Sequence, residues 1–233
     1  AYTFAWRGYM SSQSAEETAY NEIINMIIMH QYPPGSAVVE SQIAEKLCMS
    51  RTPVRNALKR LISDGLLDCT LNKGCSVPNL SRRDLDYLFD FRTLVEPACA
   101  REAAINYTPA YKDEIDSLIE EENTCLRSKA GELHIINEKM HTLTVTISGN
   151  NYFLHSVKQV TWRCQLYLFF FDNFYMSRGS ENTSYLENFK SPSQHARLFT
   201  AIKDKNPDEA EAVMKEHIAS TYNMLTQNKW YPQ

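Results

Sequence analysis

The stretch SRTPVRNALKRLISDGLL, residues 50–67, constrains the fold of this chain more than any other. Ser50 stands where a helix N-cap is expected, and Gly65 lies where the helix must end. At about 100° per residue, Val54, Ala57, Leu58 and Leu61 fall on one side of the helix. Thr52, Arg55, Asn56, Lys59 and Ser63 cluster on another, with Arg51 at their border. Such a helix must pack its apolar stripe on neighbours and leave a basic polar face outward.

The surroundings supply those neighbours. Residues 15–30 carry Tyr20, Ile23, Ile24, Ile27 and Ile28 at helical spacing, and Pro33-Pro34-Gly35 stops that helix. A short helix over 40–47 turns Ile43, Ala44 and Leu47 inward. Beyond Gly65, the segments Leu66–Thr70 and Cys75–Pro78 read as two strands joined by Leu71-Asn72-Lys73-Gly74. Three helices followed by a hairpin form a winged helix-turn-helix. Its third helix fits the major groove of DNA, and its wing offers Lys73 and the backbone of Gly74 to phosphate or the minor groove. Charge does not decide the matter. Residues 1–78 hold 7 Lys/Arg and 7 Asp/Glu, and the other 17 and 21 give the chain its net −4. Any DNA contact is therefore a local patch rather than a global field. A basic helix face serves solubility as readily as DNA, and the pattern alone leaves both readings open.

The run from Tyr32 to Val77 resembles the DNA-binding domain of the GntR family of bacterial regulators. The matching elements are PPG before the second helix, Ile43-Ala44, the block SRTPVRNAL, the DGLL turn and the Gly-tipped wing. The resemblance implies that Arg51 and Arg55 touch operator bases or adjacent phosphates. Ser41, Ser50, Thr52, Lys73 and Gly74 are the supporting contacts. The family commonly has Glu after the second Arg, where this chain has Asn56, which alters the charge of the helix face.

Val77-Pro78-Asn79-Leu80 reads as a linker, giving domains at 1–78, with 1–14 as an extension, and 79–233. In the second domain Ser81 caps a helix with Asp84 three residues on. Its apolar stripe, Leu85, Leu88, Phe89, Val95, Cys99 and Ala103, includes Arg92, with Glu96 one turn later as the expected partner. Helical patterns follow at about 109–127, 132–148, 151–175, 192–204 and 207–227. The fold class is mainly α: a winged helix-turn-helix followed by an all-helical bundle.

The pieces FRTLVEPACAREAA, NEKMHTLTVTISGNN and SQHARLFTAIKDKNPDEAEAVMKEHI resemble the effector domain of the FadR branch, of FCD type. That resemblance implies a divalent metal on one Asp and three His, which helps to bind a small carboxylate. The histidines are His141, His195 and His217, and Asn137 occupies the Asp position, able to ligate through its amide oxygen but bringing no charge. Zinc and nickel suit such nitrogen ligands. His134, three residues before Asn137, is a supplementary ligand candidate. Histidines that only hydrogen-bond in a polar pocket are the alternative. Arg92, Arg163 and Tyr167 are the effector-contact candidates, whereas Trp162 and Phe169-Phe170-Phe171 read as packing.

These features imply a ligand-responsive transcriptional repressor: a homodimer on a double-stranded DNA operator that senses an organic acid or related metabolite. The alternative is a metal-dependent hydrolytic enzyme using the three histidines. It lacks a well-placed carboxylate base and leaves the winged domain unexplained. Six cysteines without a C-x-x-C pair, no signal-peptide core and no apolar run of about 18 residues make the cytoplasm the expected setting and no membrane the expected partner.

Overall fold

The computed structural model describes residues 14–70, 74–128, 133–171 and 190–227. The chain divides into two compact units, Ala1–Asn79 and Leu80–Gln233. The first contains α1 (Ala15–Ile28), β1 (Ala37–Val38), α2 (Glu40–Lys46), α3 (Arg51–Ser63), β2 (Asp68–Thr70) and β3 (Gly74–Ser76). Helices α1 and α2 both pack on α3. Ile23, Ile27, Ile43, Val54, Ala57 and Leu61 are wholly buried there. Tyr20 locks α1 to the end of α3 through a 2.8 Å hydrogen bond to buried Asp64.

Helix α1 stops two residues short of the expected end. His30 takes a positive φ of 56°, and the Gln31 N–H closes back on the Met26 carbonyl at 2.9 Å. Ser50 occupies the N-cap position of α3, but its side chain makes no capping bond. The physical reason lies three residues on: Pro53 has no N–H to offer the serine oxygen. The strands are also shorter than the sequence implied. The N–H groups of Leu66 and Leu67 turn back to the Leu61 carbonyl at 2.9 and 3.2 Å, so these buried leucines close α3 rather than begin β2. The sheet is antiparallel in the order β1-β3-β2, and β1 was not anticipated. It is two residues long, too short for alternation to register.

The second unit is helical throughout its described residues: α4 (Arg82–Asn106), a 3₁₀ turn (Pro109–Tyr111), α5 (Lys112–Ser128), α6 (Leu133–Ser148), α7 (Asn151–Phe171), α8 (Ser191–Lys203) and α9 (Pro207–Gln227). Residues 172–175 of the expected fourth helix lie outside the described residues. Helix α4 is the hub and packs against α6, α7, α8 and α9. Its start is held in an unforeseen way. Ser81 Oγ accepts the Asp84 N–H at 3.2 Å, as a cap should. The other half of a capping box is replaced by Tyr167, whose hydroxyl accepts the Ser81 N–H at 3.2 Å and donates to the Asp84 carboxylate at 2.6 Å. Trp162 and Phe169 are buried as packing residues.

Leu61 is fully enclosed between α3 and its neighbours. Leu61→Ala is expected to destabilise the first unit by about 2–5 kcal/mol. Faster amide hydrogen exchange in α1 and α3, with α6 and α9 unchanged, is the measurement that checks it.

Candidate DNA-reading helix and candidate metal centre

Helix α3 separates its basic residues by role. Arg60 is structural: its guanidinium lies 3.9 Å over the Tyr20 ring and pairs with Glu17 at 2.5 Å. Arg51, Thr52, Arg55, Asn56 and Lys59 are exposed along the outward face, as the pattern required. Arg55 is not loose. Its Nε and Nη2 both donate to Glu40 of α2, each at 2.9 Å, and the same bonds hold the Glu40 carboxyl below its usual range. Of the five guanidinium hydrogens, two go to Glu40; the end edge, with Nη1 and the second Nη2 hydrogen, remains open. That edge has the fork geometry that fits guanine O6 and N7 or a phosphate. Ser41, next to Glu40, and Ser50 are exposed. Gly74 is exposed at φ +80° with open space around it. Lys73 lies outside the described residues.

In the helical unit α6, α8 and α9 bring His141, His195 and His217 together, all three buried. One nitrogen from each lies within 4.8 Å of the others. The Nδ1 atoms face outward from this cluster to acceptors: Glu96 Oε2 at 2.5 Å from His141, Glu122 Oε1 at 2.8 Å from His195, and Gln194 Oε1 at 3.2 Å from His217. Carboxylates accept, so Nδ1 carries the proton on His141 and His195; each Nε2 is then an acceptor, and that of His141 faces Arg92 Nη2 at 3.4 Å. His195 Nε2 is buried without a hydrogen-bond partner among the described residues. Three buried imidazoles with one nitrogen of each this close together fit a borderline divalent ion.

Arg92 lies in the same centre. Its Nε donates to Glu96 Oε1 at 2.6 Å and Nη1 to Cys164 Sγ at 3.3 Å, while Nη2 lies 3.4 Å from His141 Nε2. The expected Arg92–Glu96 pair is thus present and buried. Burial alone would raise the Glu96 carboxyl, but the Arg92 and His141 interactions outweigh it and hold the pKa at about 2. Burial pushes His141 down despite Glu96, and pushes His217 well down with help from the other two histidines and Arg92. Both rings are therefore kept neutral.

A cavity of about 30 Å³ opens beside the cluster, lined by Arg92, Asn137, Gln165, His217 and Thr221 among others. It has room for an ion or a water, not for an organic acid as it stands. Arg163 is half-buried and outside that lining, and the Tyr167 hydroxyl is committed to Ser81 and Asp84. His134 does not supplement the ligand set. Its ring packs against Trp162 and Phe169, with centroids 5.7 and 5.4 Å away.

Three residues escaped the sequence reading. Glu122 had a signal: it interrupts the buried stripe of Ile115, Leu118 and Cys125, as Arg92 interrupts that of α4. Gln194 precedes His195 and gave none. Gln165 lines the cavity with a buried amide oxygen lacking a partner among the described residues, and it too gave none.

Comparison with known proteins agrees with this two-part construction. Residues 15–77 match the family described as bacterial regulatory proteins, gntR family, and residues 87–220 match the FCD domain. The chain is 26% identical over 200 residues to the Nta operon transcriptional regulator of Aminobacter aminovorans, covering 86% of this chain and 89% of that one. It is 27% identical over 209 residues to the uncharacterized HTH-type transcriptional regulator YdhC of Bacillus subtilis (strain 168), covering 88% and 86%. Among solved structures, E. coli McbR/YncC superposes with a TM-score of 0.69 over 93% of this chain and 99% of that one, at 22% identity, a likeness of fold. The chain belongs to the GntR family of bacterial transcriptional regulators, with an FCD domain as its helical unit.

Proposed function

We propose that this regulator is a ligand-responsive repressor, a homodimer whose FCD domain uses a divalent metal, zinc or nickel, to sense a small carboxylate. The observation that carries the reading is the convergence of three imidazoles whose outer nitrogens are tied to Glu96, Glu122 and Gln194. The ion would be held by His141, His195 and His217, with Asn137 from the same cavity as a neutral fourth ligand. When bound, it supplies Lewis acidity for an oxygen ligand.

Arg92 gives the carboxylate preference. Its guanidinium and a divalent ion are two positive centres, and an anion between them lowers their mutual repulsion. The Gln165 amide oxygen supplies an acceptor for a hydroxyl on the same ligand. Because the cavity is smaller than an organic acid, entry must displace lining residues from more than one helix. A coupling of about 1–3 kcal/mol to the DNA-bound state is sufficient for regulation. Homodimerisation is supported by exposed apolar groups on α4, where Leu94 is 78% and Tyr87 58% accessible. On DNA, each α3 would read one half of a pseudo-palindrome through Arg55 and Arg51.

Two experiments test this reading. Arg55→Ala is expected to weaken operator binding by on the order of tenfold to a hundredfold while nonspecific binding changes little. Unchanged operator affinity by fluorescence anisotropy removes Arg55 from base reading. Protein purified without a polyhistidine tag is expected to carry about one equivalent of metal by elemental analysis, or to take it up on titration. His195→Ala should lose it, and Asn137→Asp should tighten it by on the order of tenfold through the added ligand charge. Absence of metal together with no uptake overturns the metal-assisted reading.

A further inference from the structure

The hairpin of β2 and β3 holds two thiols in register. Cys69 is the direct partner of Cys75, between the pairs Asp68↔Ser76 and Thr70↔Gly74. Directly opposed residues of antiparallel strands project from one face, with Cα atoms about 4.5–5.5 Å apart. That spacing lies inside the range of about 4.4–6.8 Å that a disulfide spans without backbone movement. Cys69 is exposed and Cys75 half-buried, so a small reagent meets Cys69 first. The other cysteines are placed differently: Cys48 is exposed beyond α2, and Cys99, Cys125 and Cys164 are buried in the helical unit.

We propose that Cys69 and Cys75 form a reversible thiol–disulfide site, oxidised by a small-molecule disulfide of the glutathione type. The thiolate of Cys69 attacks one sulfur of the reagent and expels a thiolate, leaving a mixed disulfide. The thiolate of Cys75 then attacks the Cys69 sulfur and expels the second. The two thiol protons pass to the two leaving thiolates. One reagent disulfide is thereby reduced to two thiols, and the cysteine pair loses two electrons. Burial pushes the Cys75 thiol up and so lowers its thiolate fraction; the second attack is intramolecular, and proximity offsets that loss. Excess thiol reverses both steps. The bond pins the outer strand β2 to the middle strand β3 and fixes the hairpin register. Any consequence for DNA binding rests on the hairpin acting as a wing, but the formation of the bond does not.

The test uses the full-length reduced protein incubated with oxidised glutathione, then alkylated, digested with trypsin and mapped by mass spectrometry. Lys73 separates the two cysteines into Leu61–Lys73 and Gly74–Arg82. The expected result is a linked pair of these peptides, lost on adding dithiothreitol and absent from Cys69→Ser and from Cys75→Ser. Three outcomes overturn the proposal: both cysteines fully alkylated, a stable glutathione adduct on Cys69 beside a free Cys75, or a link between chains through either cysteine. The readout involves no DNA, so it stands apart from the operator measurement on Arg55.

Discussion

The buried ion pair between Arg92 and Glu96 is the interaction on which the helical unit depends. Both side chains are 2% exposed, and both belong to α4, the helix against which four others pack. Two charges at that depth carry a large desolvation cost. It is offset only because each has further partners: Cys164 for the guanidinium and His141 for the carboxylate. Removing one member would leave the other uncompensated, at a cost of about 3–5 kcal/mol. The geometry follows from helical spacing, since residues four apart lie on one face. Pro97, next in the chain, removes one helical hydrogen bond immediately beside the pair.

Glu96 also links the core to the candidate metal centre. The oxygen that accepts from His141 Nδ1 fixes that ring's tautomer, and Arg92 keeps the carboxylate ionised so that it can do so. Glu122 performs the same service for His195 from α5. The three imidazoles come from α6, α8 and α9, and their orienting groups from α4, α5 and α8 itself. A ligand that moved Arg92 would therefore act on the orientation of His141 and on the packing of α4 together.

The DNA-binding unit applies the same economy to its arginines. Arg60, on the same helix as Arg55, is fixed by Tyr20, Glu17 and Asp64 and holds α1 to α3. Arg55 is anchored along one edge only, by a glutamate on the neighbouring helix, and its other edge points outward. Holding the side of a guanidinium while leaving its end open reduces the rotamer entropy lost when DNA binds.

The sequence by itself determined which helices form, because their apolar spacing is periodic and their ends carry Pro, Gly and Ser punctuation. It placed Arg92 beside Glu96 and put His141, His195 and His217 in a single candidate site, the last through resemblance to a known family. Local patterns failed where another residue intervened, near or distant in the chain. Ser50 looked like a cap until Pro53 denied it a donor, and the Ser81 cap was completed by Tyr167, more than eighty residues away in the chain. His134 shared a helix face with Asn137, but the rings of Trp162 and Phe169 claim it. Only the tertiary structure decided the tautomers of the histidines, the anchoring of Arg55 by Glu40 and the size of the cavity. Each of these depends on contacts between separate helices, and no periodicity within one segment encodes such contacts.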